Sequence, residues 1–298
     1  MAEITLLDGG MGQELVVRSG DAPTPLWATR VMLDHPGMVQ DIHAEYFAAG
    51  ATIATTNTYA IHHDRLRGFG LDPMFHALHL RALAEAHQAR AMHGSGRIAG
   101  SMGPLVASYR PEVTEAVDQA APKYAEIARI LAVHVDLILL ETMASVTMCE
   151  GAVAGALVAG RPIWLSITVD DLDGSKLRSG EPISDLAPLL RDGQVQAVLA
   201  NCSVPEAMTA ALSELRGFHL PFGAYANGFT KITGNFLKDA ATVRELTHRH
   251  DLTPEKYADF AMEWVKKGAT IVGGCCEVGP SHIRHLADRL RAAGHTIV

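Results

Sequence analysis

Cysteine is scarce in this chain, with four among 298 residues. So few thiols in a chain of this size do not build a disulfide framework. An excess of basic charge is also missing. The formal net charge is −8, which argues against a nucleic-acid surface. No apolar run approaches the roughly 18 residues of a membrane-spanning helix. The opening Met1-Ala2-Glu3-Ile4 lacks the basic stretch and long apolar core of a secretory signal. A reducing, cytoplasmic setting is therefore expected, where clustered thiols bind metal or do chemistry. There is no long linker, low-complexity tract or block of like charge. A Gly-rich dinucleotide turn is absent too, because Asp8-Gly9-Gly10-Met11-Gly12 does not fit G-x-G-x-x-G.

What is present is an alternation of short β-type runs with amphipathic stretches. Strands are expected at 4–7, 52–55, 97–101, 136–140, 163–169, 197–200, 222–225 and 269–272. Helices are expected at 37–49, 74–92, 114–133, 146–158, 183–192, 205–215, 254–267 and 281–293, with Thr114 capping the third and the stretch 229–252 irregular. Strands that alternate with helices pair in parallel. Eight such units predict a single-domain α/β fold over residues 1–298, a (β/α)8 TIM barrel. In a barrel the catalytic groups sit where strands end and the following loops begin. Asp8, Asn57, Glu141, Cys202, Asn227, Cys275 and Cys276 all fall there.

Gly273-Gly274-Cys275-Cys276 follows one predicted strand and Asn201-Cys202-Ser203 follows another. Parallel strands would bring all three thiols to one edge of the sheet. Three thiolates leave a zinc ion one open position, the pattern of a catalytic site. An electron-rich ion of this kind is a weak Lewis acid toward water and suits activation of another thiol. Two alternatives stand beside this reading: small buried packing residues, and a redox pair closing as a Cys275–Cys276 disulfide. Cys149 lies inside a predicted helix and reads as packing. His248-Arg249-His250 lies away from strand ends and reads as surface histidine.

Asp8-Gly9-Gly10-Met11-Gly12, Glu141-Thr142, Asn201-Cys202 and Gly273-Gly274-Cys275-Cys276, the last followed by Pro280 and His282-Ile283, resemble the homocysteine S-methyltransferase family. That family includes betaine- and S-methylmethionine-dependent enzymes and the homocysteine module of cobalamin-dependent methionine synthase. The likeness runs from the first strand to the last helix. It implies a zinc-dependent barrel that methylates homocysteine to methionine, with Cys202, Cys275 and Cys276 as the metal ligands.

An amino-acid substrate needs partners for its ammonium and its carboxylate. Asp8 and Glu141 are placed to pair with the ammonium, or else serve as a turn former and a helix-start charge. The N–H groups of Gly9 and Gly10 are candidates for the carboxylate. Asn57 and Asn227 are further substrate-binding candidates or ordinary turn residues; in relatives an Asn near the second position fills the open zinc site when substrate is away. His282 is placed either to orient a zinc thiolate or to pack its helix. Ala60 and Thr142 stand where betaine-specific relatives place tyrosines, and folate and cobalamin modules are absent. The expected partners are thus homocysteine and a small sulfonium methyl donor, S-methylmethionine or S-adenosylmethionine. A corrinoid or betaine donor, another thiol acceptor and a non-enzymatic thiol sensor are the rival readings. A homo-oligomer is compatible with the sequence.

Overall fold

The computed structural model describes every residue except 235, 239–241, 243 and 244, which fall inside the stretch read as irregular. The strands are β1 Glu3–Leu6, β2 Ile53–Thr55, β3 Arg97–Met102, β4 Leu137–Met143, β5 Ile163–Ile167, β6 Ala197–Asn201, β7 Phe222–Tyr225, β8 Ile271–Val272 and β9 Thr296–Ile297. The α-helices are α1 Met11–Ser19, α2 Trp27–Asp34, α3 Met38–Ala49, α4 His63–Arg67, α5 Phe75–His93, α6 Val117–Leu131, α7 Val146–Ala156, α8 Ala187–Arg191, α9 Pro205–Leu215, α10 Pro254–Lys266 and α11 Pro280–Ala292.

Every strand pairing is parallel, in the order β2-β3-β4-β5-β6-β7-β8-β1-β9. The ring closes between β1 and β2. Leu7 bridges Ile53 in parallel, and the Thr52 N–H donates to Leu6 O at 2.8 Å. At the far end of this seam β9 pairs with Glu3 and Ile4, and the Thr52 hydroxyl donates to Val298 O at 2.7 Å. The result is the expected (β/α)8 barrel, with a ninth short strand that the sequence reading lacks.

Strand alternation separates two apolar layers. Leu137 and Leu139 face into the barrel with Ile53, Trp164, Leu199 and Ile271. Ile138 and Leu140 face outward into the larger cluster under the helices. The inner layer plugs the barrel and forms a floor beneath the carboxyl ends of the strands.

Besides β9, and the short helix α4 in a stretch where no element is expected, several helices differ from the sequence reading. Helices α1 and α2 occupy a stretch left unassigned, because α1 starts at Gly10 without a side-chain cap and the breakers Gly20, Pro23 and Pro25 follow it. Helix α6 starts at Val117 after a short 3-10 turn, Pro111–Val113. Thr114 therefore does not cap it; its hydroxyl lies 3.3 Å from Ser145 Oγ. The region read as one helix at 183–192 is a 3-10 turn, Ile183–Leu186, continued by α8. Among the described residues no helix is long and apolar enough to cross a membrane.

Candidate functional site

A cavity of about 400 Å³ opens at the carboxyl ends of the strands. Cys202, Cys275 and Cys276 line it, and their sulfurs all lie within 4.8 Å of one another. Among the described residues this is the one group of three or more ligating side chains so close together. Cys202 and Cys275 are joined as a disulfide, with Cα atoms 5.8 Å apart. Cys276 is free and buried. The pairing thus differs from the Cys275–Cys276 bridge considered from sequence. It links two strands' loops instead of neighbouring residues. Burial pushes the Cys276 thiol up to about 12, and Glu277 and Glu141 add to the shift. Without a cation beside it, that thiol keeps its proton. Cys149 is fully buried in α7, in keeping with a packing role.

Main-chain bonds fix the cysteine loop from three sides. Gly274 N–H donates to Asp8 O and Cys275 N–H to Ala226 O, both at 2.9 Å, while Gly228 N–H donates to Cys276 O at 2.8 Å. The close approach of β1's loop explains the glycines. A Cβ on Gly9 would overlap Val278 O, and one on Gly10 would fall 2.6 Å from Cys275 O. The Gly10 N–H is already spent on Val278 O at 3.0 Å. This corrects its expected role as a carboxylate donor: Gly10 lines the cavity, but its amide is internal. Gly9→Ala should cost about 1–3 kcal/mol by overpacking and lower the melting temperature by several degrees. Unchanged melting would refute the close contact.

Two buried carboxyls face the same cavity. Thr55 donates to Asp8 twice, from N–H to Oδ2 and from Oγ1 to Oδ1, each at 2.7 Å. Burial nevertheless pushes the Asp8 carboxyl up to about 8, and Glu141 is near enough for its charge to add to the shift. His43 Nδ1 lies 3.9 Å from Asp8 Oδ2, too far for a hydrogen bond. Burial pulls the His43 ring down to about 3, so it is neutral and forms no ion pair. Glu141 accepts from the Ser101 hydroxyl and, at 3.0 Å, from the Tyr225 hydroxyl. Its pKa is also raised by burial.

Local backbone distortion points Glu141 into the cavity. The β4–β5 register shifts between Leu140 and Met143, and a bulge of this kind redirects side chains. Thr142 sits at φ 62° and Cys202 at φ 52°, a left-handed conformation costly for such residues. The Asn201 carboxamide clamps the bulge. Its Oδ1 accepts from Thr142 N–H at 3.0 Å and Ser166 Oγ at 2.9 Å, and its Nδ2 donates to Thr142 Oγ1 at 3.0 Å. The sequence reading did not single out Asn201, Ser101 or Tyr225 as site residues; only Asn201's place before Cys202 hinted at a role.

Asn57 lines the cavity, and its Nδ2 contacts Ala28 O at 3.4 Å. Asn227 does not line it. Its Oδ1 accepts from Phe229 N–H at 3.1 Å, an Asx turn, which corrects its expected substrate contact. His282 caps α11 by accepting from Gly279 N–H at 3.2 Å, with Nε2 3.1 Å from Leu252 O. It serves its helix and is spent there.

Above the sulfurs the wall is aromatic, with Trp27, Tyr59, Tyr109, Phe229 and Phe236. Trp27 Nε1 donates to Gln13 Oε1 at 3.1 Å, and Gln13 Nε2 donates to Glu277 beside Cys276. This side of the site was not read from sequence, because its members come from the start of α2 and from separate loops with no common motif.

Residues 5–290 match the family profile described as homocysteine S-methyltransferase. The chain is 31% identical to the homocysteine S-methyltransferase of Escherichia coli (strain K12), covering 96% of this chain and 95% of that protein. It is 25% identical to the homocysteine S-methyltransferase YbgG of Bacillus subtilis (strain 168), covering 97% and 95%. The crystal structure of the homocysteine methyltransferase MmuM from Escherichia coli in its metallated form superposes with a TM-score of 0.80 at 28% identity, over 96% of both chains. The oxidised form of MmuM superposes with the same TM-score.

Proposed function

The chain belongs to the homocysteine S-methyltransferase family, and from that premise we propose that it carries a methyl group from a sulfonium donor to homocysteine at a zinc site held by Cys202, Cys275 and Cys276. The observation that carries this reading is one cavity containing both three clustered sulfurs and two buried carboxyls without a cationic partner.

The donor set fits zinc. Thiolates bind it at about 2.3 Å, so sulfurs that share one ion lie less than about 4.6 Å apart, close to the spacing here. Cys202 and Cys275 must be reduced to serve, since a disulfide sulfur has no thiolate charge to offer. When bound, zinc supplies the positive charge that keeps an incoming thiol deprotonated at neutral pH.

The rest is done by the chain itself. Asp8 and Glu141 receive the homocysteine ammonium, with Ser101 and Tyr225 fixing Glu141's orientation. Gly9 remains the candidate for the carboxylate, since no internal acceptor takes its N–H among the described backbone bonds. The aromatic wall excludes water and faces a cationic donor without neutralising it. The homocysteine sulfur's electron pair then forms the new S–C bond while the donor's S–C bond breaks, and the donor leaves as a neutral thioether. Charge is lost in the transfer, so a dry cavity favours the transition state over the charged reactants.

S-methylmethionine or S-adenosylmethionine is the favoured donor. Ala60 and Thr142 both line the cavity, leaving open the space that tyrosines would fill. Assaying zinc-loaded protein with homocysteine and S-methylmethionine, S-adenosylmethionine, betaine or a methyl-corrinoid tests this reading. Turnover with neither sulfonium would defeat it, whether or not betaine or the methyl-corrinoid is used.

Asp8 offers a test independent of turnover. At pH 7 its raised pKa keeps a proton that an incoming ammonium displaces. Methionine binding should therefore release a proton and tighten as pH rises toward about 8. Calorimetry in buffers of different ionisation enthalpy reads the release, and Asp8→Asn should abolish it. The same shift has a stability consequence of fixed sign. The unfolded carboxyl ionises near 3.8 and the folded one near 8, so the unliganded fold loses stability as pH climbs through that interval.

A further inference from the structure

The loop after β5 is acidic and contains Asp170, Asp171, Asp173 and Gly174. It folds back on itself through bridges Val169–Leu177 and Lys176–Pro182. That fold brings Asp171 and Arg178 into a two-pronged ion pair, with Nη1–Oδ2 at 3.2 Å and Nη2–Oδ1 at 3.0 Å. Their side chains are only 12% and 14% exposed. A pair this well covered is not solvent decoration, and its contacts show what it joins. Arg178 donates to Ser203 Oγ, next to Cys202, at 3.2 Å. Asp171 accepts from Val204 N–H at 3.2 Å and Ile232 N–H at 3.4 Å. The guanidinium carbon lies 5.3 Å from the centre of the Tyr109 ring. Four loops at the barrel mouth therefore meet at one ion pair.

Tyr109 is the member of this assembly that reaches the site. It lines the cavity and packs in one cluster with Cys202, Cys276 and Phe229. It is buried and sits at φ 63°, a conformation that a tyrosine holds only when its surroundings impose it. Phe236 meets its ring edge-on at a centroid distance of 5.9 Å, and Arg178 lies over it. Asp171 matters electrostatically. It offsets the guanidinium charge, so a cation arriving at the ring is not repelled by an unpaired arginine behind it.

We propose that the Arg178–Asp171 pair is a positioning device that presents Tyr109 as the wall of the methyl-donor subsite. This rests on the reading that a sulfonium donor approaches the clustered sulfurs from the aromatic side. Donor affinity should depend on the pair, and homocysteine affinity, set by Asp8 and Glu141 at the floor, should not.

The test is a double-substitution cycle on the zinc-loaded enzyme with S-methylmethionine as donor. Arg178→Gln and Tyr109→Leu should each raise the donor KM about 10-fold while the homocysteine KM stays within about twofold. Because both changes remove the same wall, the double variant should be no worse than Tyr109→Leu alone. Arg178→Lys should recover only part of the loss, since an ammonium cannot reproduce the planar fork. It replaces Arg178→Gln in the cycle if that variant melts early. An unchanged donor KM, an equal rise in both KM values, or multiplying effects in the double variant would overturn the proposal. Calorimetric binding of S-methylmethionine repeats the comparison without turnover. If the wild type binds this donor but transfers nothing and Arg178→Gln loses the binding, the reaction is wrong and the wall stands. Equal binding by both proteins removes the wall whatever the reaction.

Discussion

Cys275→Ala is expected to yield a folded barrel that retains no zinc and transfers no methyl group. The loop holding this residue is fixed by its backbone, through Cys275 N–H to Ala226 O at 2.9 Å and Val278 N–H to Cys275 O at 3.1 Å. Alanine keeps both bonds, so the melting transition should remain cooperative. The sulfur itself has no substitute, because both Asp8 oxygens already accept from Thr55 and the Glu141 oxygens accept from Ser101 and Tyr225. Loss of one of three protein ligands should reduce metal retention to background after gel filtration. Turnover should drop on the order of 1,000-fold or more. Metal analysis and a methyl-transfer assay on the same preparation check both. Wild-type zinc content with normal turnover in this variant would end the three-sulfur account. In the unsubstituted protein, absence of metal together with a reversible Cys202–Cys275 bridge would favour a thiol sensor.

Glu141→Ala is expected to behave in the opposite way, keeping the metal and losing the amino acid. Truncating one partner of a buried charge pair costs about 2–5 kcal/mol, so homocysteine or methionine affinity should fall at least about 30-fold. Ser101 and Tyr225 then lose their acceptor, and Asp8 alone must hold the ammonium. Glu141→Gln separates the contributions. It keeps one oxygen to accept from a hydroxyl but removes the charge, and should fall between wild type and alanine. Calorimetric titration with methionine reads the loss free of metal–thiol chemistry. Unchanged affinity in the alanine variant would exclude an ammonium role for Glu141.

Much of this site was legible because barrel geometry converts a sequence position into a spatial one. Asp8, Glu141, Cys202 and Cys275 each follow a run of inward and outward apolar residues, so each had to surface at the same rim. The same reasoning misplaced Asn227, which also ends a strand. Whether a strand-end side chain enters the cavity or folds into a turn depends on one or two torsions beyond the strand. The reading also gave the Gly10 amide to a ligand, when Val278, 268 positions later, already accepts it. Helices α1 and α2 escaped because they are short and the breakers Gly20, Pro23 and Pro25 stand between them, which makes the stretch look like loop.

From the amino-acid order alone came the strand–helix period, the number of units, and therefore the rim at which three cysteines and two acids must meet. These are consequences of local periodicity and chain connectivity, which need no knowledge of distant partners. Tertiary structure alone decided the β4 bulge and its Asn201 clamp, the aromatic wall above the sulfurs, and the buried Arg178–Asp171 pair behind Tyr109. Each joins residues from separate loops whose spacing along the chain carries no period. Their contacts exist only because the closed barrel holds those loops side by side.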